Sequence, residues 1–252
     1  LNRFEPAGAW TAMDLFKATM QMERPLLPAP HQGAMDVWSS LMDWPVDSPR
    51  NLLFHAFVTA QSTLAGFVMG TALGLVLSVL IVHSRTLDRA LLPWIVASQT
   101  VPVIAIAPLI IVWVGDPFTS LVVCATVVAF FPVFSNTAAG LASAPAELVD
   151  LFRLNGAGRW QTLRLLRLPA AVPGFLAGLR VSGGLALVGA VVAEFVAGSG
   201  GFASGLAFRI VEAGYRLQVP RMFAALMLLS LAGITIDTGL GWVQRRLLQR
   251  FG

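Results

Sequence analysis

Charged side chains are scarce in this chain. Asp, Glu, Lys and Arg make up 12% of its 252 residues, about half the share usual for a soluble domain. Hydrophobic residues reach 56% and the mean hydropathy is +0.75, so water is not the solvent for most of the chain. Cysteine is nearly absent. Cys124 lies inside an apolar run, which excludes a disulfide within the chain and leaves a small packing residue. No G-x-x-x-x-G-K-[ST] run is present, so there is no loop of that type to cradle phosphates. Internal repeats are missing too, and the only acids inside the long apolar runs are Glu194 and Asp237. A secondary transporter, which needs repeats and intramembrane ion sites, is thereby disfavoured. An intramembrane hydrolase would have Ser199 as a nucleophile. His31, His55 and His83 all lie at or beyond the ends of the runs, none clearly facing it. A non-transporting membrane scaffold is the remaining competitor. Net charge is +4 with a pI of about 10.5. In so apolar a chain the placement of charge matters more than its sum, and no nucleic-acid partner is implied.

Length of apolar run is the signal that remains. Residues 51–84, 90–115 and 117–146 carry no Asp, Glu, Lys or Arg, while 181–208 and 222–244 are each interrupted by a single acid. A spanning helix needs roughly 20 apolar residues, so the sequence predicts an all-α, polytopic membrane helical bundle of five spans. These fall near 54–82, 91–114, 118–140, 170–196 and 222–243. Barrel strands are excluded, because they take only about 10 alternating residues each. The short loop 147–167 holds Arg153, Arg159, Arg164 and Arg167 against Glu147 and Asp150, which marks the cytoplasmic side. Alternation then puts Arg85, Arg89, Arg245, Arg246 and Arg250 inside as well. Trp94 and Trp113 stand 19 residues apart, about 28 Å along one straight helix, as an aromatic belt at both interfaces would require. Residues 1–50 hold six acids and four bases, with prolines at 25, 28, 30, 45 and 49. They read as an extracytoplasmic segment with short amphipathic helices near 9–22 and 34–43, and residues 51–252 as the transmembrane domain. No signal-peptide pattern opens the chain, and the absence of an initiator Met fits a trimmed N-terminus. A sixth span upstream of Leu1, or a translocated N-terminus, is expected.

Two stripes of small residues suggest close helix contacts. Ser62, Gly66, Gly70, Gly74 and Ser78 recur every fourth residue on the first span, chiefly for packing within the chain, with a subunit interface as the alternative. Ser182, Ala186, Ala190 and Glu194 form the second stripe, which puts Glu194 on a helix-facing side. An acid there is a candidate for packing, solute contact or gating. Asp237 reads as a packing or interfacial acid, and Arg180 as a snorkelling cation. Pro102, Pro108 and Pro132 are expected to kink their spans. Gln99, Thr100, Phe130, Phe131 and Asn136 are polar or aromatic candidates for lining a pathway for a flat aromatic solute. At least half of them are expected only to pack. Arg209, Arg216 and Arg221 are read as exposed cations available to an acidic partner.

The basic loop, ELVDLFRLNGAGRWQTLRLLRLP over 147–169, has an internal order. Pro145 opens a helix, Glu147 and Asp150 favour its positive end, and Gly156 ends it and turns the chain. Arg159 and Trp160 are then presented, and Leu168-Pro169 closes the loop. This order resembles the EAA loop of ATP-binding-cassette (ABC) importer permeases, although Leu151 and Phe152 stand where that pattern has two alanines. VPVIAIAPLIIVWVG (101–115), AFFPVFSNTAAGL (129–141) and VVAEFVAGSGG (191–201) are similar to the branch importing sulfonates, taurine, nitrate and pyrimidine or riboflavin-type precursors. The resemblance covers roughly residues 50–245, and the wording of 150–197 leans toward heteroaromatic precursors.

The resemblance implies a type I importer permease fold in a bacterial cytoplasmic (inner) membrane. It implies a coupling loop at about 145–168 that docks on an ATPase through Glu147, Asp150, Gly156, Arg159, Trp160 and Pro169. The implied assembly has two ATPase subunits, a second, identical permease copy, a periplasmic or lipid-anchored binding protein, and surrounding lipid. ATP and Mg would be held by the ATPase, with no cofactor and no metal in this chain. Near Gly198–Pro220 it implies a flexible turn and short helix at the outer gate, meeting the binding protein.

Overall fold

The computed structural model describes residues 30–46, 48, 50–197 and 204–249. The helix expected near 9–22, Ser199 and the turn at 198–203 lie outside the described residues. Those residues form helices α1 (Pro30–Met42), α2 (Leu52–His83), α3 (Arg85–Thr100), α4 (Val103–Val114), α5 (Pro117–Ala142), α6 (Ala146–Leu154) and α7 (Arg159–Thr162). A short π-helical stretch, Leu163–Arg167, then leads into α8 (Leu168–Ala197), followed by α9 (Leu206–Tyr215) and α10 (Val219–Leu248). No strand occurs among the described residues.

Four of these helical runs are long and apolar enough to cross a bilayer: Leu52–His83, Pro117–Ala142, Arg159–Ala197 and Val219–Leu248. They match four of the five expected spans. The span expected near 91–114 is broken instead, with α3 and α4 meeting at 104°. The cause is local. Pro102 has no N–H to continue a helix, and it pushes the residue before it toward extended backbone. Val101 accordingly sits at φ −86°, ψ 118°, and Pro102 becomes the N-cap of α4. The 28 Å aromatic belt fails with it, because Trp94 and Trp113 stand on opposite sides of the bend. Pro108 and Pro132 stay inside continuous helices.

The centre of the bundle is α5, clasped between α2 and α8. Every member of the first stripe, from Ser62 to Ser78, is buried, and it packs within the chain. A Cβ on Gly74 would lie 2.6 Å from the Phe130 carbonyl oxygen, and one on Gly70 2.9 Å from Ala129 Cβ. Backbone touches backbone here, which only glycine permits. The second stripe is buried as well. Ser182 Oγ donates to the Ala129 carbonyl at 2.6 Å, which fixes the height of α8 against α5. Large side chains point the other way: Phe57, Leu64 and Val68 on α2 are exposed. So much outward apolar surface is tolerable only in lipid or beneath a partner.

Candidate functional site

Two sites emerge, one at each end of α8. The first is the basic loop. Helix α6 starts at Pro145, with Glu147 in its first turn. Asp150 pairs with Arg153 at 3.3 Å, and both are exposed. The helix ends in a Schellman turn: Gly156 N–H reaches the Arg153 carbonyl at 3.0 Å, and Ala157 N–H the Phe152 carbonyl at 2.9 Å. Gly156 sits at φ 72°, a left-handed conformation that favours glycine at this position. Gln161 Oε1 then accepts the Gly158 N–H at 2.8 Å, closing the start of α7. Arg159 is exposed on that short helix. Trp160 is 70% exposed, with its ring 5.4 Å from that of His83 at the end of α2. Leu163, in contrast, is buried with Leu141 and Ala171 and anchors the loop's return. Pro169 lies exposed in the first turn of α8. Leu148, Leu151 and Leu154 are exposed along α6, Leu154 by 87%.

The second site surrounds Glu194, which is 2% exposed. Thr59 Oγ1 donates to Glu194 Oε1 at 2.7 Å, and Ala207 N–H donates to Glu194 Oε2 at 2.9 Å. The Thr59 hydroxyl in turn accepts the Leu206 N–H at 2.9 Å. Glu194 on α8 and Thr59 on α2 therefore satisfy two of the orphan donors that open α9, and the carboxylate lies at the positive end of that helix. A side chain on Gly205, the N-cap, would collide with both groups. One turn before Thr59, His55 is fully buried. Its Nδ1 is bonded to the Ser204 carbonyl, and its Nε2 accepts from Arg209 Nε at 2.8 Å. A neutral ring protonated on Nδ1 satisfies both bonds. Arg209 also pairs with Glu212, which holds Arg216 at 2.8 Å. Arg221 donates to the Arg50 carbonyl at 2.8 Å. Of these arginines, read as exposed cations, Arg216 is 64% exposed beside Glu212 while Arg209 is mostly covered.

The pathway candidates are not brought together. Phe130 is buried with Ile81, Ile95 and Phe134, and Phe131 packs against that cluster. Asn136 Nδ2 donates to the Pro132 carbonyl of its own helix at 2.8 Å. Gln99 and Thr100 are exposed at the end of α3. Arg180, read as a snorkelling cation, is paired. Its Nε and Nη2 each lie 3.0 Å from a carboxylate oxygen of Asp237, a two-pronged bridge from α8 to α10. Sequence reading missed this pair, since 57 residues separate its members. It also missed His55 and Thr59, although both continue the small-residue stripe of α2 toward its N-terminus.

Among the described residues, four to five apolar spans with a capped basic loop between two of them define the class as a polytopic helical membrane protein. The chain belongs to the family described as binding-protein-dependent transport system inner membrane component, whose profile matches residues 66–249. It is 37% identical to the riboflavin transport system permease protein RibX of Chloroflexus aurantiacus, over 89% of this chain and 80% of that one. It is 35% identical to the formylaminopyrimidine transport permease protein ThiX of Halalkalibacterium halodurans, over 83% and 79%. A third relative is the putative aliphatic sulfonates transport permease protein SsuC of Bacillus subtilis, 32% identical over 79% and 70%. Among solved structures, the fold resembles a chain of the inward-facing MetNI methionine ABC transporter. The TM-score is 0.65 at 21% identity, over 76% of this chain and 94% of that one. This is thus an ABC-importer permease subunit, a transport component and not itself an enzyme.

Proposed function

We propose that two copies of this chain form the translocation pathway of an ATP-driven importer in a bacterial cytoplasmic membrane. A binding protein delivers the solute, and two separate ATPase subunits hold ATP and Mg and drive the cycle. In this reading residues 1–50 are extracytoplasmic, and α6, Gly156 and α7 form the cytoplasmic coupling element. The observation that carries it is the exposure of Leu148, Leu151, Leu154 and Trp160 on a loop whose arginines keep it out of the hydrocarbon. Apolar side chains lifted into water beside Arg159 are the composition of an interface anchor. The Schellman turn presents them in a fixed geometry. Glu147 and Asp150 supply acids for basic groups of the ATPase, and Pro169 starts the helix that receives the motion. The solute is a small heteroaromatic vitamin or pyrimidine precursor, or a sulfonate-like anion. The names of RibX, ThiX and SsuC support that range. Gly156→Asp strains the left-handed turn, and Asp150→Lys reverses a loop charge. Each is expected to abolish uptake and weaken ATPase co-purification while the chain remains in the membrane. Normal uptake by both variants would refute the coupling assignment.

A further inference from the structure

We infer that the faces of α8 and α10 carrying Arg180 and Asp237 line a water-filled passage through the bilayer and do not face lipid. The inference rests on the permease reading and adds to it which surface of this chain meets the solute's route. Depth comes first. Arg180 lies about 20 Å of helix beyond Arg167, and Asp237 about 12 Å before Arg245, at 1.5 Å of rise per residue. Both arginines at the ends belong to the basic clusters that mark one interface, and the hydrocarbon core is about 30 Å thick. The pair therefore sits well inside the core.

Exposure comes second. Within the chain the two side chains remain 48% and 55% exposed, in contrast to Glu194, which is sealed. Their two-pronged geometry uses Arg180 Nε and Nη2, so the guanidinium keeps further donors without a partner among the described residues. Charged groups in a membrane protein face the interior of the assembly or water, because lipid does not solvate them. The surroundings agree. The guanidinium lies over Gly241, where an added Cβ would meet it at 3.4 Å. Beside Asp237, Thr238 is exposed, its hydroxyl donating to the Ile234 carbonyl at 2.7 Å. Ser230, seven residues before Asp237 and so on nearly its face, is exposed and bonded likewise to Leu226, with the exposed Ile234, angularly between Asp237 and Thr238, as an apolar part of the same surface. The outward face of α2, by comparison, offers Leu64 and Val68.

The test uses the full chain in its own membranes with its ATPase, with Cys124 replaced by alanine. Thr238→Cys leaves the ion pair intact, and Val68→Cys serves as the lipid-facing reference. Both are reacted with a charged, water-soluble methanethiosulfonate reagent in right-side-out and inverted vesicles. The expected result is labelling at position 238 at least tenfold faster than at 68. Equal, slow labelling overturns the inference. So does a slow Thr238→Cys that instead cross-links to a second copy, since a dry contact between chains would then cover the face. Arg180→Gln and Asp237→Asn give an independent reading. Beside water each single variant should accumulate in membranes within twofold of the parent chain. In lipid or a dry interface the orphaned charge should reduce accumulation severalfold, which would also overturn the inference. ATPase co-purification is scored in the same preparations. Fast labelling without an ATPase leaves the passage standing and removes the importer reading.

Discussion

Replacing Gly74 by alanine tests the clasp of α2 on α5 most directly. The added Cβ would lie 2.6 Å from the Phe130 carbonyl oxygen, 2.9 Å from the Phe134 nitrogen and 2.9 Å from Val133 Cβ. Ordinary contact begins near 3.5 Å, so the helices must part by about 0.6 to 0.9 Å. Two of the three obstacles are backbone atoms of α5, which no rotamer change can clear. Overpacking of this kind costs about 1–3 kcal/mol, a factor of about 5 to 150 in the folding equilibrium. Alanine also favours helix over glycine by about 1 kcal/mol, and this gain partly masks the clash. Gly239→Ala on α10 removes the ambiguity. Its Cβ meets nothing within 4 Å in the chain, so it reports the propensity gain alone. Thermal unfolding of both variants in mild detergent, followed by size-exclusion chromatography, should separate them by about 2–12 °C, at 2–4 °C per kcal/mol for a chain of this size. Equal melting temperatures for Gly74→Ala and Gly239→Ala would refute the claim that backbone contact along the stripe holds the bundle together.

Glu194→Ala should orphan the Ala207 N–H and the Thr59 hydroxyl, lowering stability by about 2–4 kcal/mol. Glu194→Gln can still accept from Ala207 and donate to Thr59, so it should keep uptake and most of that stability. A Gln variant that melts normally but does not transport would show that the carboxylate does more than cap α9. Asp116 is the N-cap of α5, accepting the Thr119 N–H at 2.7 Å. Hydrogen bonds from the Thr119 side chain and backbone hold its pKa below the ordinary carboxylate value. A depressed carboxylate stabilises the fold above its unfolded-state pKa, and this contribution is lost as pH falls through the folded-state value. The melting temperature of Asp116→Ala should therefore converge on that of the parent below the usual carboxylate range; a constant gap down to pH 3 would count against the cap.

Much of this was legible because lipid imposes a simple code. Long apolar runs, two of them charge-free and two broken by a single acid, placed four spans to within a few residues, and the spacing of Ser62 to Ser78 marked a packing face. The fifth span failed at Pro102, where composition and local stereochemistry conflict: the run is apolar throughout, yet one missing N–H turns it by 104°. Gly156 was readable because a helix stop and a left-handed turn have a local signature. The Glu194 site was only half readable. Its acid stands out in an apolar run, but Thr59 and Arg209 lie 135 and 15 positions from it in the sequence. Only folding brings them together, whereas Glu212 holds Arg209 and Arg216 locally, three and four residues away. Arg180 and Asp237 show the limit most plainly, since each alone had a reasonable but incomplete explanation.

Helix α8 joins the two sites by a rigid connection. Its 30 residues make a rod about 45 Å long, with the basic loop at one end and Glu194, holding α9, near the other. The wide turn at Leu163–Arg167 sits where a fulcrum would. A 5° tilt about that point carries the far end through about 4 Å of arc, more than the length of a hydrogen bond. Torque delivered at the loop would thus reach Glu194 as a displacement large enough to move the start of α9, with no relay of side chains in between.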